Sequence, residues 1–200
     1  ERLAHCALAC GFVKESVKSW SDLVTSKLIQ KDPTRLALAW SQLASSLELS
    51  GSKEKAIEAR EKALTGFNKA GKKAEAGYEA LALADSLICK CQFVAGKTKA
   101  EYALRAGRTV DDKNLESKSL STIGLALAMQ GKQSAARRRV EAGLELAINH
   151  NLKEGIACAY TQLAYVHGYQ GDYTGQHSSF GTAIDFCKRE GLQTSENACL

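Results

Sequence analysis

One pattern returns every 40 residues along this chain, five times over and without an insertion or deletion. A large–small pair stands at Leu3-Ala4, Leu43-Ala44, Leu83-Ala84, Ile123-Gly124 and Leu163-Ala164. Gly11, Gly51, Cys91, Gly131 and Gly171 follow at a constant offset, and Val24, Leu64, Leu104, Leu144 and Ile184 complete the series. A period in this range marks a solenoid, in which each supersecondary unit buries its apolar face only against its neighbours. The repeat predicts a single array of units at about 1–34, 35–74, 75–114, 115–154 and 155–194. Both ends fall inside a unit, so the chain reads as a piece of a longer protein. Its ends, near Leu3 to Leu8 or Phe186 to Leu200, are expected to favour homo-oligomers, because a cut array exposes the apolar face that a neighbour would cover.

Apolar residues make up 44% of the chain and aromatic residues 6%, with a single proline, which suits tightly packed helices. No run of 18 apolar residues occurs, so no membrane span is expected. The apolar stretch from Leu3 to Val13 lacks the basic start and cleavage site of a signal peptide and is accounted for by the repeat. Seven cysteines, an odd number without paired C-x-x-C elements, fit neither a disulfide framework nor a structural zinc site. They read as buried thiols in a cytosolic protein. The net charge of +5 is spread along the chain. Its sharpest cluster, Arg137-Arg138-Arg139, fans around a helix rather than forming a stripe, and no aromatic platform accompanies it, so nucleic acid is an unlikely partner.

Within each unit, two helical patterns flank a break at the glycine position. The first runs over about 35–50, 75–90, 116–130 and 156–170, and the second over 53–68, 93–108, 132–149 and 172–189. They are termed inner and outer helices. Asp32-Pro33 supplies an N-cap and a proline at the first helical position. The small member of each pair is expected to meet a second small residue on the outer helix, at Ala63, Ala103, Gly143 or Ala183, where the two helices cross. Trp40, Leu43 and Leu47, or Leu120, Ile123 and Leu127, form buried stripes, joined by Leu83 and Leu163. Glycine ends the inner helix in a left-handed conformation, so Cys91 predicts a continuous or irregular turn in its unit.

The stretch Ala39-Trp40-Ser41-Gln42-Leu43-Ala44, then Leu47, Gly51, Ala56, Ala63 and Leu64, resembles the tetratricopeptide (TPR) repeats. The likeness is strong over 37–64, good over 117–144 and 157–184, and weaker over 77–104. It implies an all-α, right-handed superhelix of antiparallel helix pairs. The period departs from the family's usual 34, and the six extra residues are expected to lengthen both helices and connections. Units of this length are similar to the sensor superhelix of large ATP-dependent bacterial transcriptional regulators and to peptide-capturing eukaryotic scaffolds.

The resemblance further implies that inner helices line a concave groove, whose candidate contacts are Ser41, Gln42, Ser45, Tyr78, Asp85, Lys118, Ser121, Thr122, Leu125, Thr161, Gln162, Tyr165 and Tyr169. His5, Glu48, Leu81, Ile88 and Met129 share this face. Such a surface can hydrogen-bond a peptide backbone or a polar effector and stack on an apolar side chain. The positions matching the family's carboxylate clamp carry Ser41, Ser45, Leu81 and Asp85, which argues against capture of an acidic C-terminal tail. His167, at an apolar position, reads as a core histidine bonded to a neighbouring helix. Glu145, His150 and His177 share no metal or nucleophile spacing, no phosphate loop is present, and no catalytic constellation emerges, so neither enzyme chemistry nor a cofactor is expected. The expected function is binding of a protein, a peptide or a small effector within a cytosolic signalling or transcription-regulatory protein, with a passive assembly scaffold as the alternative.

Overall fold

A computed structural model describes residues 12–192, and all regular structure among them is helical. The helices are α1 (Val13–Thr25), α2 (Pro33–Leu49), α3 (Lys53–Lys69), α4 (Lys73–Cys89), α5 (Phe93–Val110), α6 (Lys113–Met129), α7 (Gln133–Asn149), α8 (Lys153–Tyr169) and α9 (Tyr173–Glu190), with a short 3-10 turn at Ile29–Lys31. Four antiparallel pairs, α2/α3, α4/α5, α6/α7 and α8/α9, stack in sequence order. The candidate His5, Cys6, Cys10 and Cys199, and the first large–small pair, lie outside the described residues, as does most of the chain expected to mediate self-association.

The helices start and stop where their sequences dictate. Asp32 Oδ1 accepts from the backbone N–H of Thr34 and Arg35 at 3.0 and 3.1 Å, and Pro33 occupies the first turn of α2, where its missing donor leaves no gap. From α2 onward each stop is a residue of positive φ, and these recur every 20 residues: Gly51, Gly71, Cys91, Asp111, Gly131, Asn151, Gly171 and Gly191. At each inner-helix stop a longer-range bond seals the end, as in Ser52 N–H to the Leu47 carbonyl and Gln92 N–H to the Leu87 carbonyl, both at 2.9 Å. The same bond closes the outer helices, from Lys72 to Phe67 and from Leu152 to Ala147. Cys91 therefore does not produce an irregular turn: it adopts φ 60° and the regular geometry despite its Cβ. The connections between units are not lengthened either. Residues 70–72 join α3 to α4 just as 50–52 join α2 to α3, so the extra length lies in helices of 17 or 18 residues.

The core runs through the stack as three successive apolar clusters, around Trp20, Leu43 and Leu47, then Phe67, Leu83 and Leu115, then Ile123, Val140 and Val166. Leu43, Ala44, Leu47, Leu83, Ala84, Leu120 and Ile123 are buried as expected. Trp40 and Leu163 are only partly buried. The Lys62 ammonium lies over the Trp40 ring, 4.4 Å from its centroid.

The small residues do serve close approach, but with partners one turn from those expected. A Cβ at Gly124 would stand 2.4 Å from Val140 Cγ2 and 2.9 Å from the Ala136 carbonyl, near the start of α7. A Cβ at Gly143 would stand 2.6 Å from Ser121 Oγ and 2.8 Å from the Ser117 carbonyl. In an antiparallel pair the middle of one helix meets the middle of the other, and positions 124 and 143 lie on opposite sides of that midpoint.

Candidate functional site

Along the inner helices, side chains that do not enter the core share one face. Tyr78, Tyr165 and Tyr169 are 38%, 39% and 49% exposed. Asp85 is also exposed, and Ser41, Gln42, Ser45, Lys118, Leu125, Met129, Thr161 and Gln162 are half-buried. Four candidates are not surface residues at all: Ser121, Thr122, Leu81 and Ile88 are buried. The reason is local packing. α6 lies between α4 and α8, so Ser121 and Thr122 are enclosed. The Ser121 hydroxyl donates to the Ser117 carbonyl at 3.2 Å, and that of Thr122 donates to the Asp85 carboxylate at 3.2 Å.

The inner helices are not evenly spaced. α6 packs closely along α8 and touches α4, whereas α2 and α4 scarcely approach each other. Between α2 and α4 stands a polar cluster. Arg60, from outer helix α3, reaches Glu48 of α2 through Nε and Nη2 at 2.9 and 2.6 Å, and Glu79 of α4 through Nη1 at 3.0 Å. Ser41 donates to Glu79, and Ser86 to Glu48. Arg60 and Glu79 are buried, so the donors that complete their hydrogen bonds are what make the arrangement tolerable. In the other units the register of Arg60 holds Ala100, Val140 and Phe180, and that of Glu79 holds Ala39, Ser119 and Ala159.

Beside this cluster a cleft of about 320 Å³ opens, lined by Glu48, Lys53, Arg60, Ala82, Asp85, Ser86 and Cys89. Burial alone would raise the pKa of Glu48, but hydrogen bonds from Arg60 and Ser86 and the charge of Arg60 outweigh it, and the net shift is downward. Asp85 moves the other way. Enclosure by protein pushes its carboxyl up to about 6, against the Thr122 hydrogen bond and the Arg60 charge. Its residue is nonetheless open to water, so the desolvation is that of a cleft and not of a sealed interior. Burial, then the Asp85 charge, also raise the Cys89 thiol, which is the protonated and unreactive form at neutral pH.

Elsewhere on this side, further side-chain contacts tie neighbouring helices together. Tyr78 donates to Asp112 at 2.9 Å, and burial followed by that bond pushes its hydroxyl up to about 12. Lys118 pairs with Glu154, and Tyr165 stacks edge-on against Phe180 at 5.4 Å. His167 is half-buried rather than fully enclosed, and it bonds to neighbouring helices, to Asp172 at the start of α9 and to Arg137 of α7. Its Nδ1 lies 2.8 Å from Asp172, which caps α9 through the Gly175 N–H. Arg137 Nη2 sits 3.3 Å from the same ring nitrogen, so Arg137 contacts α8 while 43% of its side chain stays open to solvent. Arg138 and Arg139 remain exposed.

Sequence reasoning passed over Arg60, Glu79, Ser86 and the cleft. The available signal was a charged residue at an apolar register position in one unit, matched by a second in the following unit.

No family model and no curated protein sequence matches this chain. Solved structures do. BtubC (BKLC) from P. vanneervenii superposes with a TM-score of 0.72 at 18% identity, over 94% of this chain and 78% of that one. A kinesin-light-chain-type protein of Podosopora anserina with nearly identical TPR-like repeats gives 0.72 at 14% identity, over 96% and 94%. A Rap protein complexed with competence and sporulation factor gives 0.76 at 11% identity, over 98% of this chain and 55% of that one. With its helix pairs and its register of small residues and left-handed turns, the chain has the fold of the TPR-like solenoids.

Proposed function

We propose that this chain is a binding module that holds a peptide segment of a partner protein along the inner-helix face, as part of a cytosolic signalling or regulatory protein. The observation that carries the reading is the row of side chains left outside the core on that face, with three exposed tyrosines and a cleft between α2 and α4. Tyrosines offer large, stiff, amphipathic contact area, and the half-buried hydroxyls and amides beside them match a peptide backbone. The neighbouring Rap structure, solved as a complex with competence and sporulation factor, supports a binding role for a solenoid of this shape. No described helix is long and apolar enough to cross a membrane.

A random peptide library displayed on phage and panned against the purified chain tests the reading. Selected peptides should lose binding when Leu125→Asp or Tyr169→Asp is introduced, and keep it when the exposed Arg138 and Arg139 of the outer helix α7 become glutamate. If the α7 changes abolish binding, with steep salt dependence, the partner is an anionic surface and the reading fails.

A further inference from the structure

We infer that the cleft between α2 and α4 is a pocket for a cationic side chain, lysine or arginine, of the peptide held in the groove. The inference rests on the groove reading above and adds the chemistry of its ligand. Three carboxylates, Glu48, Glu79 and Asp85, gather around one buried guanidinium. Arg60 already occupies itself with the first two, to which Ser86 and Ser41 also donate. Asp85 is left with the neutral Thr122 hydroxyl, and no ion pair reaches it among the described residues. Lys53 also lines the cleft, but it is exposed, so water and salt screen it.

An enclosed carboxylate that no direct ion pair reaches is costly even with the charges of Arg60 and Lys118 acting on it from a distance, and its raised pKa expresses that cost. A cation entering the cleft removes the cost, a neutral amide removes part of it, and an anion adds to it. Shape points the same way. The volume of about 320 Å³ is at the small end for a ligand pocket and suits one extended side chain. Ala82 supplies an apolar wall for a methylene stem, and Asp85, three residues on along α4, shares its helix face. The gap lies where α2 and α4 are held apart, whereas α6 and α8 pack directly on each other.

The test uses the whole chain, labelled with ¹⁵N, titrated with N-acetyl-lysine and N-acetyl-arginine methylamides and with the norleucine and glutamate analogues. The cationic probes should shift the amides of Ala82, Asp85, Ser86 and Cys89 saturably, and bind about tenfold more tightly than norleucine, with glutamate weakest. Asp85→Asn should erase that preference. Ala82→Lys, which places an ammonium in the cleft from within, should block the probes while leaving Asp85 intact. Equal binding of norleucine and lysine, or an Asp85→Asn chain that folds and keeps the preference, overturns the inference. The panned peptides separate its failure from that of the groove reading. Peptides that need Leu125 and Tyr169 but carry no basic residue and ignore Asp85→Asn leave the groove standing and sink the pocket. Peptides indifferent to Leu125 and Tyr169 sink the groove, and with it the pocket's place in peptide recognition.

Discussion

Arg60 shows how much one residue can decide. At its register other units bury Ala100 or Val140, whereas here a guanidinium sits between Glu48 and Glu79, both side chains of the Arg60–Glu79 pair being under one-tenth exposed. Removing a single partner of such a pair strands the other's charge. Arg60→Met is expected to cost about 3–5 kcal/mol in denaturant unfolding at neutral pH. Adding Glu79→Ala should recover much of it, since the double variant approaches the apolar seam of the other units. Asp85 carries the opposite burden. Its folded-state pKa, about 6, lies above the ordinary 3.8, so between these values the folded chain binds more protons than the unfolded one, and this group's contribution to stability falls as pH rises. Glu48, Arg60 and Lys118 all act on it, and Glu48, whose pKa is lowered, contributes stability that disappears only as pH drops below the ordinary carboxylate range. Asp85→Asn should therefore melt higher than the parent above pH 6 and lose the advantage toward pH 4, as pH-resolved thermal melts would record; an advantage that grows on acidification would contradict the assignment.

At the scale of the helix and its turn, the chain is legible because the determinants are local. The Asp32-Pro33 start of α2, the glycines at 51, 131 and 171, and the large–small pairs each announce themselves within a few residues. What escaped was of two kinds. Asp111 and Asn151 stop outer helices as glycine does, since a short polar side chain tolerates the left-handed region, and they carry no repeat-wide signature. Cys91 tolerates it less well. With φ 60° and an exposed side chain, Cys91→Gly should stabilise the chain by about 1 kcal/mol in chemical denaturation; a loss of stability would mean that the thiol is held by contacts rather than strained. The crossing point likewise depends on helix length, which residue identity does not supply. Gly124→Ala drives a Cβ against the Ala136 carbonyl and Val140 and should cost about 1–3 kcal/mol, whereas the same change at the solvent-facing Gly181 should be close to neutral.

For the molecule as a whole, periodicity predicts the architecture, since each unit can bury its apolar face only on its neighbours. It says least about where units differ, and the candidate site is such a place. Glu48 and Glu79 come together through Arg60 across a unit boundary, a pairing that neither unit shows alone and that spans 19 residues on one side and 12 on the other. Burial of Ser121 and Thr122 was hidden for a related reason: exposure on an inner helix is set by how closely the flanking inner helices approach, which varies from seam to seam. The central claim is that the inner-helix face, with its cleft at Asp85, holds the partner peptide. Amide and methyl shift mapping with one panned peptide tests it most directly. The account predicts perturbations confined to the inner helices, at Ser45, Asp85, Ser86, Leu125 and Tyr169; perturbations centred instead on the outer helices, at Lys62, Arg105 and Arg138, would contradict it.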